Sequence, residues 1–363
     1  MRVKVFFQKI FKNFFQIIFK AFYGKITFSK NEKIIFEKFR INEISHKNIR
    51  YEINEVLYKI PKARVYTDTV EHVAIIQKNK LIPKVSYQQV DSYLKDESFN
   101  TTLKIGTPRV IKKFSGNILS LVQGASGNNY FHFLFDIVVK IELAKRAFTS
   151  QKIDYFYLPK KEKWQIDILS ELDIQENKII DSSEYRHVSG DNILALEHPW
   201  YKEGLIQEGV NNLPEWIIFF LRERFIDMAK KFDNNELVYI DRSDSINNRC
   251  KLINNDEIID IVEKKGFKSY RVSDLKFFEQ IYLFKKAKVI LGPHGAAFSN
   301  LIFSSKGLKL FEIIPSEHLS LKCKRFSNFL NFDYKRFNLK RVQDKDGDMI
   351  LDKKILIKIL DSI

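Results

Sequence analysis

The stretch Lys286–Pro315, KAKVILGPHGAAFSNLIFSSKGLKLFEIIP, constrains the fold more than any other part of the chain. A short apolar run (Val289 to Leu291), a Gly-Pro-His-Gly turn, a segment of small residues opening at Ala296 and a second apolar run (Leu308 to Ile314) read as strand, turn, helix and strand. Gly292 and Gly295 bracket the turn, so the backbone can take positive φ there and a ligand can approach closely. A helix starting at Ala296 would aim its free N–H groups and its dipole at that ligand, an arrangement suited to phosphate. His294 stands in the middle of the turn. The same residues would also make a structural α/β turn with a solvated histidine.

The alternation extends to both sides. Strand 117–122, helix 130–148, strand 154–158, helix 164–172 and strands 178–180 and 192–196 are expected in the first half. Strand 237–240, helix 256–265, strand 268–272 and helix 275–286 lead into the 286–315 stretch. Strands alternating with helices are the mark of a doubly wound, mostly parallel α/β sheet. Residues 50–115 hold short β-like runs (63–66, 72–77, 110–114) whose order the sequence leaves open. The segment 198–214 lacks periodicity and reads as a loop crossing a cleft, followed by a long helix, 213–232, with Pro214 in its first turn. The expected organisation is an N-terminal helix (1–25), two Rossmann-like domains facing a cleft (26–232 and 233–345) and a last helix (346–363) packing back on the first domain.

A chain of 363 residues is long enough for two such cores. Its net charge of +16 favours anionic partners: membrane lipid, nucleic acid or phosphorylated substrates. Cys250 and Cys323 form neither a CxxC pair nor a disulfide framework, which suggests packed thiols in a reducing compartment. Residues 2–23 place Phe7, Ile10, Phe11, Phe14, Phe15, Ile18 and Phe22 on one helical face, with Lys9, Lys12, Asn13, Gln16 and Lys20 on the other. Aromatics opposite lysines, with no acidic residue before Glu32, suit a helix lying on an anionic membrane surface. A core or partner-docking helix would share that periodicity. No apolar run approaches transmembrane length and lysines interrupt every one near the N-terminus. The expectation is therefore a cytoplasmic protein, peripheral on the inner face of the cell membrane.

Ligands of open α/β sheets bind at the carboxyl ends of strands. Three loops of the second half lie there: one carrying Arg242 and Arg249, whose guanidinium forks match phosphate oxygens; the 292–297 turn; and the strand end bearing Glu312 inside an apolar run. A buried Glu312 needs a partner, either a sugar hydroxyl or a structural ion pair. In the first half, GASGNNYFHFLFD places His132 and Asp136 four residues apart near a helix start, where either could take a proton from a hydroxyl or simply cap and pack. No GxSxG elbow, P-loop or zinc-spaced His/Cys cluster occurs.

These blocks resemble glycosyltransferase family 61, also described as the DUF563 capsular polysaccharide biosynthesis family. GNNYFHFLFD is similar to its N-terminal block, VYIDRSDSINNRCKLINNDEI to its Arg-rich block, and the stretch FFEQ…FEIIP to its most specific block, with a Gly-x-His-Gly-Ala core, then Asn300, then Glu312-Ile313. Together they span about residues 117–315, and residues 1–116 carry no such likeness. The resemblance implies an inverting, metal-independent enzyme of GT-B architecture without a cofactor. Its donor would be a nucleotide-sugar, with a UDP-sugar expected, and its acceptor a glycan or lipid-linked hydroxyl in cell-surface polysaccharide synthesis. The implied donor site comprises Arg242, Arg249, Gly292, His294, Gly295, Ala296, Asn300 and Glu312, with His132 or Asp136 as base. Asn255 stands where family members carry a carboxylate. The alternative is a non-catalytic basic, membrane-associated protein binding anionic polymers or nucleic acid. The charge is spread along the chain and no nucleic-acid module is present, so a nucleic-acid partner is not expected.

Overall fold

The computed structural model of the protein describes residues 2–28, 36–46, 48–124, 127, 129–150, 152–159, 162–245, 250–342 and 348–363, and for 2–12 and 46 the backbone alone. The chain forms two compact units, Met1–Gly209 and Val210–Ile363. The expected boundary near 232 falls inside the second unit. The reason is the helix Glu215–Phe225: its Arg222 donates to the carbonyls of Ile302 (2.6 Å) and Ser304 (2.7 Å), tying it to the segment after the Gly-Pro-His-Gly turn.

The first unit opens with a helix, Arg2–Tyr23, and is built on two sheets. One runs in the order 37–46, 49–61, 192–196, 117–120, 155–158, 179–181. Its last four strands are parallel, 117–120, 155–158 and 179–181 being linked by the two expected helices, and the long hairpin 37–46/49–61 extends it in antiparallel sense. The second sheet is mostly antiparallel and gathers the short strands that the sequence left unordered, among them Arg64–Thr69 and His72–Gln77. The first half is thus a parallel core flanked by antiparallel strands, not the plain Rossmann-like sheet expected. The 198–214 segment is also not an open loop. His198, Trp200 and Tyr201 are buried in the first unit, and Ile206–Asn211 is helical.

The second unit is a five-stranded parallel sheet in the order Lys268–Arg271, Leu237–Asp241, Val289–Pro293, Lys309–Pro315, Asp333–Leu339. Every residue of Val289–Pro293 is buried, as a central parallel strand requires. In chain order the strands run 2-1-3-4-5, so the connection reverses direction between 237–241 and 289–293 and opens a crevice beyond their carboxyl ends. The edge strand 333–339 gives little sequence signal, because its charged residues stay largely exposed. The last helix, Lys353–Leu360, does not fold back on the first half. Leu356 and Ile359 join Ile258, Val262, Phe311 and Met349 in the core of the second unit.

Candidate functional site

At the reversal point of the second unit, strand Leu237–Asp241 delivers Arg242 and strand Val289–Pro293 delivers His294 and Gly295. Neither Gly292 nor Gly295 uses the positive φ open to a glycine; Gly295 is extended, with φ 177°. Both are glycines for space. A Cβ on Gly292 would sit 2.8 Å from Ile240 Cβ, and one on Gly295 would fall 1.2 Å from Arg242 Nη1. The guanidinium of Arg242 therefore lies across the bare backbone of Gly295, and its Nη2 donates to Ser245 Oγ at 3.1 Å. Lys322, buried, donates from Nζ to the Gly295 carbonyl at 3.0 Å. Two cations thus flank one glycine.

The Arg242 loop is held from below. Asp241 accepts from Ser243 N–H (2.8 Å) and Ser243 Oγ–H (2.9 Å), while Asn255 donates to Asp241 Oδ1 (2.9 Å) and accepts from the Tyr239 hydroxyl (2.8 Å). An amide can do both tasks at once, whereas a carboxylate at 255 would repel Asp241. An amide at 255 therefore completes this network.

His294 and Glu312 form a buried pair, Nδ1 to Oε1 at 2.5 Å, and Tyr334 donates to the other carboxylate oxygen at 2.5 Å. Burial works to raise the Glu312 pKa, but His294, Cys323 and Tyr334 outweigh it and hold the carboxyl at about 2. Burial also pushes His294 down, against the pull of Glu312 and with help from Lys322 and Arg242. The pair therefore rests as carboxylate and neutral imidazole, with Nδ1–H donating and Nε2 left as an acceptor. The ring of His318 lies 4.7 Å from that of His294. Arg336 fixes the 318–320 loop by donating to the carbonyls of Ser320 and His318, both at 2.7 Å.

His294, Glu312 and Cys323 put one ligand atom each within 4.8 Å of one another, the one such group of three among the described residues. The surroundings suit a hydrogen-bonded anchor better than a cation. Burial, and then Glu312, raises the Cys323 thiol well above its usual value, and Lys322 and Arg242 add positive charge beside His294. Burial lowers the pKa of both Arg242 and Lys322; a bound anion would oppose that shift.

In the first unit, Asn129 caps the helix that carries His132, accepting from Phe131 N–H (3.0 Å) and His132 N–H (3.4 Å). Residues Phe133–Val138 then widen into a π-helical turn enclosed on all sides, with every side chain from Phe131 to Ile141 buried. Asp136 lies at the centre of this turn, fully buried. It accepts from Trp200 Nε1–H at 2.9 Å and meets His132 Nδ1 at 2.9 Å and His198 Nε2 at 3.5 Å. Burial would raise its pKa, but His132 and His198 overcome that and hold it well below the usual carboxylate range. His198 Nδ1 accepts from Tyr201 N–H at 3.0 Å, so its proton is on Nε2, facing Asp136. Burial pushes His198 down to about 4.

His132 and Asp136 are therefore not equivalent. An ionised Asp136 fixes the proton of His132 on Nδ1, leaving Nε2 as an acceptor on a side chain 10% exposed. Asp136, at 0%, cannot touch a substrate.

Of the residues expected in one donor site, the structure brings together Arg242, Gly292, His294, Gly295 and Glu312, with Ala296 next to them. Ala296 opens a 3₁₀ helix, Ala296–Phe303, rather than an α-helix. Glu312 is spent on His294 and Tyr334 and presents no free oxygen face to a ligand. Asn300 is fully buried and donates to Gln280 Oε1 at 3.0 Å, packing the 3₁₀ helix onto helix Phe277–Lys286. Arg249 lies outside the described residues. Sequence reasoning missed His198, Trp200, His318 and Lys322. The His-Pro-Trp-Tyr run at 198–201 was a usable signal, since three aromatic or imidazole groups in four residues are too apolar for an open loop. Lys322 carried none.

A sequence model of the family described as Glycosyltransferase 61 matches residues 130–311, half of the chain. The match begins at the His132 helix and ends in the strand that carries Glu312. No curated protein matches the chain.

Proposed function

The chain belongs to glycosyltransferase family 61, and on that premise we propose that it transfers a sugar, with inversion, from a nucleotide-sugar to a hydroxyl of a glycan or lipid-linked acceptor. Cell-surface polysaccharide of the capsular or lipopolysaccharide type is the product class this reading favours. The observation that carries it is the Arg242 guanidinium laid across Gly295 with Lys322 on the same residue's carbonyl, at the reversal point of a 2-1-3-4-5 parallel sheet. A UDP-sugar is the first donor to test.

On this reading the second unit takes the donor and the first unit the acceptor, the division of labour of the GT-B plan. The diphosphate lies on Arg242 and Lys322. His294, oriented by Glu312, meets a phosphate or sugar oxygen. His132 Nε2 removes the proton of the acceptor hydroxyl as its oxygen attacks the anomeric carbon. The bond from that carbon to the diphosphate oxygen breaks, and its electron pair leaves with the nucleoside diphosphate. Arg242 and Lys322 stabilise the growing negative charge, a role that needs no metal. Asp136 stays ionised throughout and positions His132 as a carboxylate does in other acid–base pairs.

A donor screen by nucleotide release, run with lipid-linked acceptor fragments over UDP-, GDP- and CMP-sugars, tests the proposal. Acceptor-dependent release of one nucleotide supports it. No release with any donor–acceptor pair, together with no thermal stabilisation by any free nucleotide, would overturn it.

A further inference from the structure

Over its described side chains, residues 13–23, the helix Arg2–Tyr23 turns large apolar groups outward. Its C-terminal half docks on its own unit through one edge. Lys20 Nζ donates to the Lys104 carbonyl at 2.7 Å, the Tyr23 ring meets the His187 ring edge-on at 5.5 Å, and Tyr23 Oη accepts from Ile111 N–H at 3.3 Å. At about 100° per residue, Phe14, Ile17, Ala21 and Phe22 fall on the other side. There Phe14 is 57% exposed, Ile17 70% and Phe22 79%. A helix belonging only to a globular core does the reverse, burying its stripe and showing its lysines. Among the described residues, no helix is long and apolar enough to cross a membrane.

Charge selects what covers this stripe. Residues 1–28 contain Arg2, Lys4, Lys9, Lys12, Lys20 and Lys25 and no Asp or Glu. A second copy docking on the same stripe would bring the same cations face to face, which is unfavourable. The adjoining loop, tied to the helix through Ile111, adds Val110, 74% exposed, and the exposed Lys112 and Lys113. Apolar side chains that project, set among lysines without acids, match an interface of acyl chains beneath anionic headgroups.

We propose that the helix Arg2–Tyr23 lies in the interface of an anionic lipid bilayer, with Phe14, Ile17 and Phe22 inserted and its Lys20–Tyr23 edge gripping the first unit. The attachment is peripheral. It is independent of the transferase chemistry, so it can fail or hold whatever the donor proves to be.

The test is co-sedimentation of the full chain with vesicles of phosphatidylcholine plus phosphatidylglycerol and with phosphatidylcholine alone. Binding to the anionic vesicles should be at least about tenfold stronger and should weaken with salt. The triple variant Phe14→Ser/Ile17→Ser/Phe22→Ser should lose about tenfold or more in affinity while melting like the parent, since all three side chains are exposed. Equal sedimentation of parent and variant would overturn the proposal, as would equal binding to both vesicles. So would a dimer in lipid-free solution that the triple variant converts to monomer, because the occupant would then be a second copy. Should the triple variant fail to fold, an environment-sensitive fluorophore on Ile17→Cys decides. A blue shift on anionic vesicles supports insertion, and an unshifted spectrum refutes it.

Discussion

The two units each bury a histidine against a carboxylate, and the pairs differ in what surrounds them. In the first unit, His132 meets Asp136 at 2.9 Å one helical turn away, the other hydrogen-bond donors to Asp136, Trp200 and His198, are neutral, and the one cation near it is the buried Lys140, which burial pushes down to about 7. In the second, His294 meets Glu312 at 2.5 Å across neighbouring strand ends, beside the cations Arg242 and Lys322. The geometry of the pair is the same in both: carboxylate on Nδ1, Nε2 turned away. The surroundings separate the roles. An imidazole backed by one buried anion and aromatic walls suits proton removal, and an imidazole beside two cations suits contact with phosphate.

Substitutions should break this comparison asymmetrically. His132→Ala should lower kcat by about 10²–10⁴ and leave nucleotide affinity unchanged, which steady-state kinetics and nucleotide titration would check together. Arg242→Ala should lower kcat/KM by about 10²–10³ and weaken nucleotide binding as well, as expected when a counter-charge for the leaving group is lost. Gly295→Ala is the sharper test of the second site. The three atoms nearest the new Cβ all belong to the end of the Arg242 side chain, so the melting temperature should hold while nucleotide affinity falls by about tenfold. A fall in stability without a fall in affinity would mean that Gly295 serves the backbone alone.

The smallest effect concerns pH. Each pair has a neutral histidine beside it, His198 at Asp136 and His318 at His294, and burial pushes both from 6.5 to about 4. Between those values the unfolded chain binds more protons than the folded one, so stability is full above about pH 6.5 and declines as the pH falls toward about 4. Asp136 and Glu312, both held low, extend the loss further into acid. Melting temperature measured from neutral to mildly acidic pH should show this slope, and His198→Gln or His318→Gln should each flatten it slightly.

What the sequence showed of all this followed the range of its signals. His132 and Asp136 were visible because a helix brings residues four apart onto one face. The order of Arg242 and the Gly-Pro-His-Gly turn at strand ends was visible because buried parallel strands are short apolar runs with loops between them. The reasons for Gly292 and Gly295 were not visible, since a glycine needed for space and one needed for positive φ look alike in a sequence. Lys322 and Tyr334 could not have been placed, because they reach the site through a helix and an edge strand whose packing, not spacing, brings them there. The order of the first unit's antiparallel sheet stayed open for a related reason: short strands paired across long separations leave no local pattern that fixes it.

The central claim is that the donor's diphosphate rests on Arg242 and Lys322 while His132 acts only in the chemical step. Titrating the free nucleotide released by the preferred donor into parent, His132→Ala and Arg242→Ala, each intact and folded, tests it most directly. The account predicts parental affinity in His132→Ala and a loss of about tenfold or more in Arg242→Ala. Parental affinity in Arg242→Ala, or a matching loss in His132→Ala, would contradict it.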